Sequence, residues 1–104
     1  MITTKQRAYL KSIAVKLDPV FQVGKGGLSQ VQIAQVDDYL RVHEIVKIKV
    51  LDNSLYSANE AAAEIAEAIK AEVVQVIGAK AVLFKRNAQN PVIELPSNKN
   101  KKKS

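Results

Sequence analysis

The chain contains no cysteine, no tryptophan, a single histidine and only five Phe and Tyr residues. Without cysteine there can be neither a disulfide nor a thiolate zinc site, and one histidine cannot build a metal site from histidines alone. No stretch approaches the roughly 18 apolar residues of a membrane span, and the N-terminal segment lacks the apolar core of a signal peptide. We therefore expect a cytoplasmic protein with no cofactor, no metal and no membrane contact.

Acidic residues are scarce in the first half of the chain. Basic residues outnumber acidic ones by 16 to 10, which gives a formal net charge of +6. Residues 1–50 carry eight basic and four acidic side chains, whereas residues 51–98 carry four basic and six acidic ones. Because a basic surface attracts polyanions such as nucleic acid, we expect one polarised surface that faces such a partner.

The length of 104 residues predicts one domain with one core. The last eight residues, SNKNKKKS, are of low complexity and rich in lysine, a composition typical of a disordered terminus. We therefore expect a domain over 1–96 and a disordered tail over 97–104.

Capping signals and hydrophobic periodicity predict three helices and four strands. Thr3 and Ser57 each begin a capping box, and Ser29 is a suitable N-cap. The predicted elements are a helix over 4–16, a strand over 20–23, a helix from 29 to about 42, a strand over 44–51, a helix after 57, and strands over 73–77 and 81–85.

This order predicts an α/β fold, a two-layer domain with a four-stranded mixed sheet. Strands joined through a helix should be parallel, and the last two should form an antiparallel hairpin. The strand over 44–51 alternates, with Lys47 and Lys49 on the face opposite its apolar residues. The third helix has an acidic outer face, which we expect to point away from a polyanion.

Three of the four glycines lie together in Gly24-Lys25-Gly26-Gly27, between a predicted strand and a predicted helix. Glycine permits positive φ and close approach of another backbone, and a helix N-terminus offers N–H groups to phosphate. A tight strand-to-helix turn explains the same residues. The spacings of a dinucleotide fingerprint and of a P-loop are absent, and the G-x-x-G loop of a KH domain joins two helices instead.

Several ordered runs resemble one family, the CRM domain (chloroplast RNA splicing and ribosome maturation) in its single-domain, YhbY-like bacterial form. The runs are GKGGLS from 24, EIVKIK from 44, VQVIG from 74 and VLFK from 82. The resemblance implies a fold like the C-terminal domain of translation initiation factor 3, with sheet order 1-2-4-3 and the last strand antiparallel. It also implies RNA binding tied to precursors of the large ribosomal subunit. The pair Phe84-Lys85 stands where members often have Tyr-Arg.

Other residues have a structural and a functional interpretation. Arg7 and Lys11 are expected on a solvated helix face, the alternative being a position that flanks the glycine loop if that helix packs nearby. His43 is expected to serve the end of the second helix. Phe84 and Tyr56 are the aromatic residues that could stack on bases, whereas the other three are assigned to the core or its edge. So few aromatic residues favour readout of shape and phosphate over base stacking.

The sequence therefore predicts a monomeric, non-enzymatic RNA-binding protein that docks ribosomal RNA of large-subunit precursors as an assembly factor. A protein-interaction module on the ribosome and a small enzyme acting on a phosphorylated ligand are the alternatives, the second lacking any visible catalytic cluster. The candidate RNA-binding residues are Gly24, Lys25, Gly26, Gly27, Ser29, Lys47, Lys49 and Lys85.

Overall fold

The computed structural model describes residues 2–26, 28–87 and 93. The helices are α1 (Thr4–Ala14), α2 (Gln30–His43) and α3 (Ala58–Ile69), and the strands are β1 (Phe21–Val23), β2 (Ile45–Val50), β3 (Glu72–Ile77) and β4 (Lys80–Phe84). The element order predicted from sequence is confirmed, with boundaries shifted by one or two residues. The predicted tail over 97–104 lies outside the described residues.

All three helices begin at the predicted caps. Thr3 and Gln6 exchange backbone-to-side-chain hydrogen bonds of 3.0 and 3.1 Å, and Ser57 and Glu60 do the same at 2.8 and 3.1 Å. The hydroxyl of Ser29 accepts from the N–H three residues on at 3.0 Å. Such caps satisfy N–H groups that have no intrahelical acceptor, so the three helix starts are fixed locally.

The four strands form one mixed sheet in the order β1-β2-β4-β3. Strand β1 is parallel to β2, and β4 is antiparallel to both β2 and β3. The two-residue loop Gly78-Ala79 joins β3 to β4, since Ile77 pairs with Lys80. Gly78 has a φ of 58°, and a positive φ at the first loop residue alone is the type II′ hairpin pattern. The predicted α/β class and four-stranded mixed sheet are confirmed.

Helices cover both faces of this sheet, which gives three layers where the order of elements predicts two. Val46 and Ile48 of β2 pack in a buried cluster with Ile65 of α3 and residues of α2. Ile45 points the other way and packs in a second cluster with Leu10 of α1. The third layer forms because one end of β2 and β4 is apolar on both faces, and both faces must then be kept from water.

Helix α1 is attached to the sheet through Arg7 as well as through its apolar stripe. The guanidinium of Arg7 donates to the carbonyl oxygens of Val73 and Val74, the latter at 2.8 Å. The pairing of β3 with β4 shifts register between Val73 and Gln75, and such an irregularity leaves carbonyl groups outside the ladder. Arg7 therefore satisfies carbonyls of β3, and the solvated role predicted for it is wrong.

Glu44 joins α2 to β2 and is fully buried, with 0% exposure. It has a positive φ of 66°, so it ends the helix and does not begin the strand as predicted. Its carboxylate accepts from the backbone N–H groups of Asn87 and Ile93, both at 2.6 Å. Its carbonyl accepts from the N–H of Lys85 at 2.9 Å. Glu44 therefore holds the chain after β4 against the C-terminal end of α2.

Candidate nucleic-acid interface

The glycine loop, residues 24–29, connects β1 to the N-terminus of α2 at one end of the sheet. Its start is fixed because the carbonyl of Val23 accepts from the N–H of Leu51 at 2.8 Å. Its end is fixed by Ser29, the N-cap of α2. Lys25 is exposed between these anchors. The loop thus contains an exposed cation five residues before the start of α2, and both a cation and a helix N-terminus suit phosphate.

The described glycines of the loop do not use left-handed backbone. Gly78 is the one glycine with positive φ in the described part of the chain. A Cβ added at Gly24 would lie 3.4 Å from Leu51 Cδ1, and one added at Gly26 would meet nothing within 4 Å. The fold therefore has room for a side chain at 26, so packing does not require glycine there. Gly27 lies outside the described residues.

Lys47 and Lys49 share the face of β2 that is directed toward the α1 layer, as their alternation with buried Val46 and Ile48 requires. Lys49 pairs across the sheet with Gln22, two residues before the glycine loop begins. Strand spacings place the Cα atom of Lys49 roughly 8 Å from that of the first loop glycine. The register therefore places Lys49 near the start of the loop, whereas α2, into which the loop leads, packs on the opposite face of the sheet.

Helix α1 covers only one end of this face, and the remainder is accessible. We name the remainder the open face. The register places six residues on it, across the four strands: Gln22, Lys47, Lys49, Gln75, Ile77 and Lys80.

Lys80 is a basic residue of the open face that sequence reasoning missed. It lies directly opposite Lys49 in the antiparallel pair of β2 and β4. Within the described residues, neither lysine forms an ion pair, since the ion pairs found there belong to Arg41 and Lys85. The signal that could have located Lys80 is Gly78, which indicates a turn. A two-residue turn that begins at Gly78 places Lys80 at the first position of the next strand.

Lys85 lies apart from the other predicted lysines. It directly follows β4, at the end of the sheet remote from the glycine loop, and strand spacing puts it roughly 16 Å from Lys80. Its Nζ atom is 2.7 Å from Oδ1 of Asp37. The structure therefore gives Lys85 a carboxylate partner and does not bring it together with Lys25, Lys47 and Lys49.

The aromatic residues lie only partly as the sequence predicts: Phe21 and Tyr39 are at the edge of the main cluster as expected, whereas others differ. Phe84 is buried at 2% exposure in the cluster below α1, so base stacking on it is excluded in this fold. Tyr56 is half-buried against a core cluster. Tyr9 is 41% exposed and lies outside the core. His43 stacks on Tyr39, with ring centroids 4.1 Å apart, which agrees with its predicted structural role.

The helical layers on the two sides of the sheet carry opposite charge. Helix α1 has three basic and no acidic residues, whereas α2 and α3 together have five acidic residues and one arginine. Glu60, Glu64 and Glu67 are exposed on α3. The predicted acidic outer face of the third helix is thus on the side opposite the open face.

Within the described ranges, no helix is long and apolar enough to cross a membrane. The same residues contain no group of three His, Cys, Asp or Glu side chains that could hold a metal ion.

Sequence comparisons find relatives that align over nearly the whole chain. The model of the CRS1/YhbY (CRM) domain matches residues 2–85. The chain is 40% identical to the "Probable RNA-binding protein YqeI" of Bacillus subtilis, over 92% of this chain and 100% of that protein. It is 34% identical to an "RNA-binding protein" of Haemophilus influenzae, over 91% of this chain and 95% of that one.

A solved structure supports the fold as well. The solution structure of the Staphylococcus aureus protein SAV1595, described as a proposed RNA-binding protein, superposes with a TM-score of 0.68 at 41% identity. The match covers 92% of this chain and 100% of that one. Because the family model spans most of the chain and both the sequence and the fold of these relatives agree, the protein belongs to the CRS1/YhbY (CRM) domain family.

Proposed function

We propose that this protein is a non-enzymatic RNA-binding protein that docks structured ribosomal RNA of large-subunit precursors as an assembly factor. Relatives that align over nearly the whole chain are named RNA-binding proteins. The resemblance to YhbY-like CRM domains supports the ribosomal precursor as the RNA. The glycine loop and the lysines of the open face would then form one RNA-facing surface.

The opposed pair Lys49 and Lys80 is the observation that carries this proposal. Like charges directly across an antiparallel pair destabilise a sheet, and neither lysine has an ionic partner in the described part of the chain. Lys47 adds a third cation on the same face. A fold that keeps such repulsion is well suited to an anionic partner, and a phosphodiester backbone supplies one charge per nucleotide.

The glycine loop would bind the phosphate groups of RNA through its shape and charge, independently of the base sequence of the RNA. Gly26 permits close approach, Lys25 supplies a charge, and the first N–H groups of α2 have no intrahelical acceptor. Ser29 would act indirectly, since its hydroxyl oxygen already caps the helix at 3.0 Å. These contacts position RNA and do not by themselves read bases.

Lys85 has no place in this proposed surface. Its carboxylate partner Asp37 and its location at the far end of β4 favour a structural role.

The proposal is tested with RNA affinities of Lys25→Ala and Gly26→Asp, measured on a transcript of the large-subunit ribosomal RNA. Both variants should weaken binding while circular dichroism and thermal melting stay unchanged, because both residues are exposed. Lys70→Asn is a matched control: it removes a charge beside the acidic helix, and asparagine tolerates the positive φ of 61° at that position. Unchanged affinity in both loop variants would contradict the loop assignment.

A cellular experiment tests the ribosomal target. Crosslinking in cells, followed by sequencing of the bound RNA, should show that precursor large-subunit ribosomal RNA is enriched relative to its own share of total RNA. If the purified complex with ribosomal particles survives nuclease treatment intact, protein contacts hold it, and the proposed mode of docking is wrong.

A further inference from the structure

The open face contains a cavity of about 160 Å³ next to the C-terminal end of α1. Its lining comes from the turn after α1 and from three strands: Val15, Lys47, Gln75, Ile77, Lys80 and Val82. The cavity lies beside the lysines of the proposed RNA surface and is separate from the glycine loop.

The register explains how this cavity is built. Lys47, Val82 and Gln75 form one row across β2, β4 and β3. Val82 is 2% exposed and makes an apolar floor. Val15 and Ile77 are 76% and 66% exposed, although both are apolar. The two exposed aliphatic walls favour a flat apolar ligand, because its binding would remove both Val15 and Ile77 from water.

The volume of the cavity, which is open to solvent on the surface of the sheet, corresponds to about one ring. An engineered apolar cavity of about 150 Å³ binds benzene, so a single six-membered ring fits a volume of about 160 Å³. A pyrimidine base is a ring of this kind that also carries hydrogen-bonding groups on its edge.

The polar groups around the cavity match a nucleotide. The amide of Gln75 makes no hydrogen bond within the described residues, and it offers both donors and an acceptor to a base edge. Lys47 and Lys80 contribute to the lining itself, and Lys49 lies directly opposite Lys80. A base in the cavity would therefore have cations beside the phosphates that flank it.

We propose that this cavity binds one unstacked, pyrimidine-sized base of single-stranded RNA. The inference rests on the proposed function and adds a sequence-sensitive contact to a surface that otherwise reads phosphate. RNA-binding proteins commonly read single-stranded loops by extruded bases. An acidic protein segment would also satisfy the lysines, whereas a base edge in addition offers the Gln75 amide a paired donor and acceptor beside an apolar ring.

The test measures the dissociation constants of the full chain for two probes of equal charge by fluorescence anisotropy. The probes are a uridine octamer and an octamer of abasic ribose phosphates. The wild-type protein should prefer the uridine octamer at least tenfold. Gln75→Leu, which removes the amide, and Ile77→Ser, which removes an exposed wall, should each reduce that preference at least threefold while affinity for the abasic octamer is kept.

Val42→Ser is the matched control, since Val42 is 62% exposed on α2, away from the cavity. It should leave the preference unchanged. Thermal melting should show that all variants remain folded. As a direct readout, a 4-thiouridine octamer should crosslink to the peptide that contains residues 75–82 in the wild type and less in Gln75→Leu.

Several outcomes would overturn the inference. These are equal affinity of the wild type for the two octamers, no detectable binding of the uridine octamer while the ribosomal transcript still binds, and an unchanged preference in both cavity variants. In these cases the proposed function stands. If an acidic peptide displaces the octamer and crosslinks to residues 75–82 more strongly than the octamer does, the cavity is a protein-docking site. Loss of all RNA binding by the wild type would instead refute the proposed function itself.

Discussion

The face of the sheet under α2 and α3 and the face that carries α1 differ in packing and in charge. On the first, Val46, Ile48 and Leu83 are buried with the apolar sides of two helices. On the second, α1 covers only the end near Ile45, and the rest leaves Lys47 and Lys49 half-buried and Lys80 exposed. The same strands therefore contribute to stability through one face and present a charged surface through the other.

This difference follows from the period of two in a β-strand. Each strand of the sheet presents alternate residues to each face, so β2 can bury Ile48 while the cations one position away stay partly exposed. The acidic residues of α2 and α3 lie on the well-packed side, where they repel a polyanion from the wrong surface. The comparison predicts that substitutions on the two faces have separable effects.

The largest effect is expected on the packed face. Ile65 is 1% exposed in the main cluster, and Ile65→Ala should reduce the free energy of unfolding by about 2–5 kcal/mol through lost burial and a cavity. Chemical denaturation measures the change. Glu64→Ala, at the exposed neighbouring position, should alter stability by no more than about 0.5 kcal/mol. Equal effects of the two substitutions would show that this face is not the packed one.

The attachment of α1 comes next in magnitude. Arg7→Ala removes the donor to two carbonyl groups of β3 and should cost about 1–3 kcal/mol, since those carbonyls lose a charged partner. Lys11→Ala, on the exposed side of the same helix, should be nearly neutral. Equally small effects of Arg7→Ala and Lys11→Ala would contradict this prediction. They would show that α1 is held to the sheet by apolar contacts alone.

A smaller effect of opposite sign is expected on the open face. Lys49→Ala or Lys80→Ala should raise the free energy of unfolding by about 0.2–1 kcal/mol, because each removes a like-charge pair across the strands. Either should also weaken RNA binding and reduce the slope of its salt dependence by about 1. Denaturation and salt titration give the two readouts. A loss of stability together with unchanged RNA affinity would contradict the assignment of this face.

The smallest effect is expected for Lys85→Met. The ion pair with Asp37 is partly exposed, so its removal should change stability by at most about 1 kcal/mol. The salt dependence of RNA binding should keep its slope, because Lys85 lies outside the proposed surface. A slope reduced as much as for Lys49→Ala would extend the RNA-binding surface to the far end of β4.

Local signals predicted most of the fold. The capping boxes at Thr3 and Ser57 act between residues three apart, and both form as the sequence indicates. The alternation of β2 is also local, and it assigned Lys47 and Lys49 to one face correctly. The sheet order was expected from the family resemblance, not from periodicity, and the structure confirms it.

The features that sequence reasoning missed depend on contacts between distant segments. Arg7 binds carbonyl groups 66 and 67 positions away, and a carbonyl has no signature in the amino-acid sequence. Lys80 is a candidate RNA-binding residue only because the strand register places it opposite Lys49. The sequence leaves Phe84 as a candidate for stacking on RNA bases, because the order of elements does not reveal that α1 packs over it. Register and layer assignment are tertiary properties, so local patterns leave them open.

Glu44 bears on where the folding unit ends. The family match stops at residue 85, yet the carboxylate of Glu44 accepts from the N–H groups of Asn87 and Ile93. A chain shortened at Lys85 would retain every strand and lose both of these donors to a fully buried acid. Sequence families are delimited by recurring residues, whereas backbone donors can be supplied by any amino acid except proline. The contacts of the buried Glu44 therefore reach beyond the family boundary, as far as residue 93.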